Sequence, residues 1–259
     1  MGKYWEFKNK SDIESDLYLY SEIDSWGDGE YAHSAKSFKN ELDALGDIGT
    51  LNIYINSPGG DVFEGVSIAN MLKRKKCVKN IYIDGLAASI ASVIAMAGDK
   101  VIMPSNSMMM IHNAWTITQG NANDLRKMAD DLDKMDSSIR QSYLDKSNGK
   151  IDEETLIDLM NKETWLSAEE CLEYGLCDEI VEANKMVAKL DPKLFKNYKN
   201  VPENLKGSFF VAQNQMDDEM KTLIKNIKEN DWYKNTKVSK GGYLINEKEI
   251  LNQPTIRWC

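Results

Sequence analysis

Residues 51–62 read LNIYINSPGGDV and combine the pattern of a short strand with that of a tight turn. The run 51–55 is short and apolar and predicts a strand, which ends at the strong turn signal of residues 56–60. Residues 62–75 then place apolar side chains at helical spacing, and residues 78–83 predict the next strand. This alternation of strand and helix predicts an α/β fold.

The alternation continues on both sides of this unit. Further strands are predicted at 16–23, 100–103, 107–111 and 178–181, and further helices at 34–45, 87–97, 152–160 and 168–174. Ser34 is expected to cap the helix that follows it. Ser167 and Glu170 form a capping-box pattern, and Gly175 follows the predicted end of that helix. Beyond residue 183 the periodicity fades, apart from a helical patch near residues 217–227.

The clearest helix is predicted at residues 123–143. Its apolar residues recur at spacings of three and four and form a narrow seam: Leu125, Met128, Leu132, Met135 and Ile139. The rest of the helix is charged. Such a seam is typical of a helix that packs against a copy of itself, and it equally fits a surface helix lying on its own core.

The charge of the chain is unevenly distributed. The chain has 259 residues, a net charge of −9 and a pI of about 4.9, which disfavours nucleic acid as a partner. Residues 185–259 carry 14 basic and 9 acidic side chains, a charge of +5, so the remainder carries −14. The start of the chain has charged residues where a secretory signal would be apolar, and the apolar run 86–98 is too short to span a bilayer. We therefore expect a cytoplasmic protein with no membrane partner.

The sequence offers few ligands for a metal ion. Its four cysteines lack CxxC spacing and its only histidines are His33 and His112, so no metal site is expected and the cysteines are predicted to be reduced. The chain also lacks the phosphate-binding loop pattern GxxxxGK[ST]. It therefore cannot itself drive the ATP-dependent unfolding of another protein. No cofactor is expected.

Three features together predict acyl-transfer chemistry. Ser89 follows a strand at the start of a helix, where free backbone amides can hold an oxyanion. His112 lies at the end of an apolar run, and Gly59-Gly60 lets a backbone approach a ligand closely. Taken singly, each has an ordinary explanation: a helix-capping serine, a structural histidine and a tight turn.

Five motifs in register carry a resemblance to a known family. They are INSPGGDV at 55–62, DGLAASIAS at 84–92, MMIHN at 109–113, QGNANDL at 119–125 and ETWLSAEECLEYGLCDEI at 163–180. Through them, residues 16–183 resemble the proteolytic subunit of the Clp protease, ClpP. The phrases SPGGDVFEG and DGLAASIASVIAMAGD are most similar to the ClpP-related head-maturation proteases of tailed phages.

The resemblance implies a ClpP/crotonase-like α/β fold of repeated ββα units and a serine endopeptidase activity. It implies Ser89 as the nucleophile, His112 as the base, and the backbone amides of Gly60 and Ile90 as oxyanion donors. Its third catalytic residue is usually Asp, and Glu163 stands at that position here. Glutamate can orient a histidine, but its longer side chain changes the reach, so a solvated surface acid remains the alternative.

The resemblance also implies an assembly. Residues 123–145 correspond to a protruding handle helix, through which stacked homo-oligomeric, heptameric rings interlock. Gly59, Gln119, Gly120 and Asn121 correspond to substrate-binding positions, where an extended peptide is held mainly by main-chain hydrogen bonds.

The expected organisation is a protease domain at 1–183 and a basic extension at 184–259 that is scaffold-like or flexible. The expected partner is a polypeptide substrate. If the protein is phage-encoded, its expected partners also include phage scaffold and capsid proteins. Its expected location is then the host cytoplasm or the prohead interior. The alternatives are a cellular ClpP-type peptidase working with a separate AAA+ ATPase, an inactive ring-forming structural component, and a crotonase-type acyl-CoA enzyme.

Overall fold

The structure, a computed structural model, describes residues 3–24, 34–183 and 198–202, and the backbone of two short strands at 236–238 and 244–246. Contacts between Cα atoms divide the chain into a first unit, Met1–Leu205, and a second, Lys206–Cys259. The helical patch expected near residues 217–227 lies outside the described residues.

The first unit alternates strands and helices, as the sequence predicts. Its strands are β1 Trp5–Asn9, β2 Glu14–Tyr20, β3 Thr50–Ser57, β4 Val78–Ala88, β5 Lys100–Pro104, β6 Met108–Ile111, β7 Thr164–Ser167 and β8 Glu179–Val181. Its helices are α1 Ala35–Ala44, α2 Val62–Arg74, α3 Ile90–Ala95, α4 Ala122–Ser147, α5 Glu153–Asn161 and α6 Ala168–Glu173. In the second unit, β9 Thr236–Val238 pairs antiparallel with β10 Leu244–Asn246.

Eight strands form one mixed sheet whose central path is β1-β2-β3-β4-β5-β8. Pairing is parallel from β2 to β8 and antiparallel between β1 and β2. The apolar strands β3 and β4 are buried at its centre, and buried residues of α2 and α3 belong to the same hydrophobic core. The predicted α/β class is therefore confirmed.

Besides its pairing with β3, strand β4 pairs with two further strands at different points along its length. Residues 80–82 pair with β5, and residues 86–88 pair with β6. The sequence-based expectation that this strand ends at Asp84-Gly85 and that a helix begins at Ala87 is wrong. Ala87 and Ala88 are completely buried in the β4–β6 ladder, so strand pairing overrides the helical preference of alanine. The helix consequently begins only after Ser89.

Other differences lie at the edges of the sheet. Two edge strands were not predicted from the sequence: β1, which pairs with β2, and β7, which pairs antiparallel with β6. Ser34 occupies the N-cap position of α1, but its side chain makes no capping hydrogen bond. The capping box of Ser167 and Glu170 is confirmed, and Gly175 follows α6 with a φ of 73°.

Helix α4 has 26 residues, and its two halves differ in burial. Leu125 near its start is 45 % exposed, whereas Ile139 and Tyr143 in its second half are buried. Within the described ranges, none of the helices is long and apolar enough to cross a bilayer.

Candidate active site

Ser89 lies at the junction between β4 and α3. It occupies the N-cap position of α3 with φ 54° and ψ −129°, a conformation that residues other than glycine rarely adopt. Its backbone amide donates to the carbonyl of Met110 on β6, at 2.9 Å. The fold thus holds a strained serine at the carboxyl end of the central strand β4, and such strain is concentrated at functional sites.

His112 follows β6 directly and faces Ser89. Its Nε2 atom lies 2.8 Å from Ser89 Oγ, a distance suited to proton transfer. Burial lowers the pKa of His112 below the ordinary histidine value, and the negative charge of Glu163 opposes that shift. The lowered pKa favours the neutral imidazole, which is the form able to accept a proton.

The turn after β3 packs against this serine. A Cβ atom at Gly59, where φ is 94°, would lie 2.6 Å from Ser89 Cβ and 2.7 Å from the carbonyl oxygen of Ala88. The carbonyl of Gly59 accepts a hydrogen bond from the amide of Ile23, and the amide of Asp61 donates to the Ile23 carbonyl. Only a glycine can bring the backbone this close to Ser89.

The backbone amides of Gly60 and Ile90 lie beside Ser89 and take no part in the hydrogen bonds between the turn and Ile23. The bridge to Ile23 uses the carbonyl of Gly59 and the amide of Asp61, which leaves the amide of Gly60 outside it. Ile90 is the first residue of α3, so its amide has no intrahelical acceptor. Such amides can stabilise a negatively charged oxygen.

A chain of buried hydrogen bonds supports the backbone of Ser89. Ser92 Oγ donates to the carbonyl of Ser89 at 2.5 Å and lies 2.7 Å from the hydroxyl of Tyr143. Since the single proton of Ser92 is used toward Ser89, Tyr143 must donate to Ser92. Ser92 and Tyr143 were not predicted as supporting residues, because the two meet across 51 residues of sequence.

Helix α4 also holds the segment that follows His112. The carboxylate of Asp136 accepts a hydrogen bond from the amide of Ala114 at 2.7 Å. Asp136 is only 7 % exposed, and burial raises its pKa whereas this hydrogen bond opposes the shift. The histidine segment and α4 are therefore physically linked.

Glu163 follows α5 and adopts a left-handed conformation with φ 50°. Its Oε1 atom accepts hydrogen bonds from the amides of Lys199, at 2.7 Å, and Asn200, at 2.8 Å. Among the described residues, no hydrogen bond joins Glu163 to His112. The role of Glu163 as third catalytic residue stays a prediction.

Tyr198 lies in the same cleft and was not identified from the sequence. Its hydroxyl donates to the carbonyl of Pro58, and its ring meets the ring of His112 edge-on, with 5.5 Å between centroids. Burial raises the pKa of Tyr198 to about 12, although hydrogen bonding with Ser89 opposes that shift. No local pattern around residue 198 signals this placement, because its partners are distant in sequence: Pro58 after β3, His112 after β6 and Trp165 on β7.

The cleft has a volume of about 380 Å³, and Gly59, Gly60, Ser89 and His112 all line it. Gln119, Gly120 and Asn121 do not line it, and they lie on the exposed segment that leads into α4, with Asn121 as its N-cap. Their substrate-binding role stays a prediction. Within the described ranges, no group of three or more His, Cys, Asp or Glu side chains could hold a metal ion.

Comparisons with known proteins agree with this fold. The sequence model of the family described as Clp protease matches residues 12–184, which is more than half of the chain. The chain is 32 % identical over 138 residues to the ATP-dependent Clp protease proteolytic subunit of Deinococcus radiodurans. It is 34 % identical over 138 residues to the protein of that name from Porphyromonas gingivalis.

The two matches cover 52 % of this chain each, and 66 % and 61 % of the respective relatives. The chain therefore spans less than two thirds of the length of either relative. The family match extends from β2 through β8 and includes Ser89, His112 and Glu163. On this match, the chain belongs to the Clp protease family.

Proposed function

We propose that this chain is a serine endopeptidase that hydrolyses peptide bonds by a Ser-His-acid mechanism. The observation that carries the proposal is the 2.8 Å contact between Ser89 Oγ and His112 Nε2. The amides of Gly60 and Ile90 beside it supply the groups that an acyl-transfer reaction needs for its oxyanion.

In the first half of the proposed reaction, His112 Nε2 takes the proton of Ser89 Oγ as this oxygen attacks the carbonyl carbon of the substrate. The negative charge that develops on the carbonyl oxygen is held by the amides of Gly60 and Ile90. The tetrahedral intermediate then collapses, and the leaving amine takes the proton from His112. The new amino terminus departs, and an ester remains on Ser89.

In the second half, a water molecule gives a proton to His112 and attacks the ester carbon. The same two amides hold the second oxyanion. Collapse breaks the bond to Ser89 Oγ, which regains its proton from His112, and the carboxylic acid product leaves. Glu163 is proposed to stabilise the protonated imidazole by its charge, which already acts on the pKa of His112.

Ser89→Ala tests the assignment directly. We expect this variant to lose peptide hydrolysis by several orders of magnitude and to lose labelling by a fluorophosphonate probe, because both reactions need the same oxygen. Ser138→Ala on the exposed face of α4 is the matched control and should leave both rates unchanged. Hydrolysis at the wild-type rate in the Ser89→Ala protein would refute the mechanism.

For the biological setting, we propose head maturation in a tailed phage, with scaffold and capsid proteins as substrates, in the host cytoplasm or the prohead interior. The support is the sequence resemblance of residues 57–65 and 84–99 to that group of proteases. The rival setting is a cellular peptidase that borrows an AAA+ ATPase, as the name of the two bacterial relatives suggests.

Cleavage of unfolded casein without nucleotide or ATPase separates the two settings. A maturation protease should degrade casein alone, and the intact mass of the chain should fall with time if it also cleaves itself. The Ser89→Ala protein should keep its full mass. Casein degradation that requires an added ATPase would favour the cellular setting.

For the assembly, we propose stacked homo-oligomeric, heptameric rings that meet through α4. The exposed Leu125 and the partly exposed Met128 and Leu132 continue the seam whose last residue, Ile139, is buried within the protomer. Burying such side chains against a second copy stabilises association by about 1–2 kcal/mol each.

A further inference from the structure

Residues 198–201, here named the strap, lie across the catalytic cleft. We propose that the strap is an autoinhibitory element that closes the site until substrate or self-processing displaces it. This inference rests on the proposed serine peptidase function. Three separate groups of contacts carry it, and each engages a different part of the site.

The first group of contacts occupies the space over Ser89. The Tyr198 side chain lines the cleft together with Ser89 and His112, and its hydroxyl donates to the carbonyl of Pro58, next to the turn of Gly59 and Gly60. A substrate carbonyl must reach Ser89 Oγ and the amide of Gly60 through this same space. The phenol ring and a bound peptide therefore exclude one another.

The second group of contacts engages the acid. Glu163 Oε1 accepts hydrogen bonds from the backbone amides of Lys199 and Asn200. The side-chain amide of Asn200 also donates to the carbonyl of Lys162, at 2.7 Å. Charge-assisted hydrogen bonds of this kind are about twice as strong as neutral ones. While the strap is bound, the carboxylate is directed to the strap backbone instead of to His112.

The third group of contacts anchors the strap by apolar burial. Val201 is only 6 % exposed and packs in a cluster with buried Leu86, Ala88 and Met110. The ring of Trp165 meets Tyr198 edge-on, with 5.9 Å between centroids. Leu86, Ala88 and Met110 belong to β4 and β6, the strands that carry Ser89 and His112, so the anchor sits beside the reacting groups.

An internal occupant of this kind competes with substrate. Substrate binds only to the open fraction of molecules, so the apparent KM rises by the inverse of that fraction while kcat at saturation stays the same. A residue that instead shaped the substrate pocket would have the opposite effect, since its removal would raise KM or lower kcat. This difference gives the strap a distinctive kinetic signature.

Tyr198→Ala in the full chain tests the first contact. We expect KM for a short fluorogenic peptide to fall about tenfold with kcat unchanged, which corresponds to an open fraction of about one tenth in the parent protein. Tyr198→Phe keeps the ring and loses the hydroxyl with its hydrogen bonds to Pro58 and Ser89, so its KM should lie between those of the parent protein and Tyr198→Ala. An unchanged or higher KM in Tyr198→Ala would overturn the proposal.

Asn200→Pro tests the second contact without altering Tyr198. Proline removes the backbone N–H that donates to Glu163, whereas the matched control Asn200→Ala keeps that N–H and loses only the side-chain bond to Lys162. We expect the KM of Asn200→Pro to fall below that of Asn200→Ala. Equal values in the two variants would show that the Glu163 contact does not hold the strap.

A readout that needs no catalysis separates the strap from the peptidase assignment. In a Ser89→Cys background, the alkylation of the introduced thiol by iodoacetamide is followed by peptide mass mapping, which resolves it from the native cysteines. Adding Tyr198→Ala should accelerate that alkylation about tenfold if the strap covers residue 89. Faster alkylation without fluorophosphonate labelling of the wild type would sustain the strap and refute the peptidase. Labelling of the wild type without faster alkylation would refute the strap alone.

Discussion

The hydroxyl of Tyr143 lies 2.7 Å from Ser92 Oγ, and through this contact α4 supports the backbone of the proposed nucleophile. Ser92 passes the contact on to the carbonyl of Ser89. Both residues are buried. Ser92→Ala would leave the Tyr143 hydroxyl without this partner, at a cost of about 1–3 kcal/mol of folding free energy, whereas Tyr143→Phe leaves the Ser92 hydroxyl donating to Ser89 and should cost less.

The first prediction follows from the direction of these hydrogen bonds. Ser92→Ala removes the contact to Ser89 itself, whereas Tyr143→Phe leaves that contact in place. We expect both variants to unfold at lower denaturant concentration, and Ser92→Ala to lose several-fold more kcat than Tyr143→Phe. Peptide hydrolysis and urea denaturation of the two variants and their double mutant measure the effect. Equal loss of kcat would mean that the bond to Ser89 does not position the serine.

The second prediction concerns pH. His112 must be neutral to accept the serine proton, and burial lowers its pKa. Activity should therefore rise with pH through a midpoint below about 6.5, the value of an ordinary histidine. Because the charge of Glu163 raises the pKa of His112, Glu163→Gln should move the midpoint to still lower pH. The profile of kcat/KM against pH checks both, and a midpoint above that of a free histidine would contradict the account.

The third prediction concerns Glu163 as the acid. Glu163→Gln keeps an oxygen that can accept the amides of Lys199 and Asn200, so the strap contact should survive while the charge is lost. We expect kcat to fall at least about tenfold, since loss of a triad acid costs up to about 10⁴-fold. The melting temperature should change little. Glu163→Asp restores the residue that is usual in the family and should retain more activity than Glu163→Gln. Full activity in Glu163→Gln would assign the third role to another residue.

The fourth prediction uses two glycines that both have positive φ. A Cβ at Gly59 would collide with Ser89 and Ala88, whereas a Cβ at Gly149, with φ 81°, meets no heavy atom within 4 Å. Both alanine substitutions incur the left-handed penalty of about 1 kcal/mol. Only Gly59→Ala should also abolish fluorophosphonate labelling, because it must displace Ser89. Labelling of Gly59→Ala at the rate of Gly149→Ala would show that the close approach is not needed.

The fifth prediction concerns the seam on α4. Leu132→Glu places a charge on the seam and should split the proposed rings into smaller species with reduced peptidase activity. Ser137→Glu adds the same charge on the opposite, exposed face and is the matched control. Sedimentation velocity gives the size of both. If the size of Leu132→Glu is that of the wild type, α4 is an ordinary surface helix.

The sequence predicted most of the fold because its signals are local. The turn at residues 56–60, the helix α2 after it and the capping box at Ser167 depend on neighbouring residues, and the structure agrees with each. The misplaced boundary at Ala87 has a non-local cause. Its strand conformation is set by pairing with Met109 on β6, more than twenty residues further along the chain, and a local preference does not report such a contact.

The residues of the candidate site also fall into two groups, those that motifs predicted and those that depend on distant contacts. Ser89 and His112 were predicted from motifs, and the structure brings their side chains together. Tyr198 was missed because it meets the site from a segment with no motif of its own. The conformation of Glu163 was also missed, since a positive φ at glutamate is imposed by its surroundings and has no sequence signal.

The contact between Tyr198 and the cleft also has a consequence for how inhibition depends on concentration. An occupant that belongs to the same chain has an effective concentration fixed by covalent connection, of the order of millimolar for a short flexible link. Dilution cannot release it, unlike an inhibitor that binds from solution. A substrate present locally at a comparable concentration, as in a crowded assembly, would displace the strap. The enzyme would then be active where the substrate concentration is high and inactive where it is low.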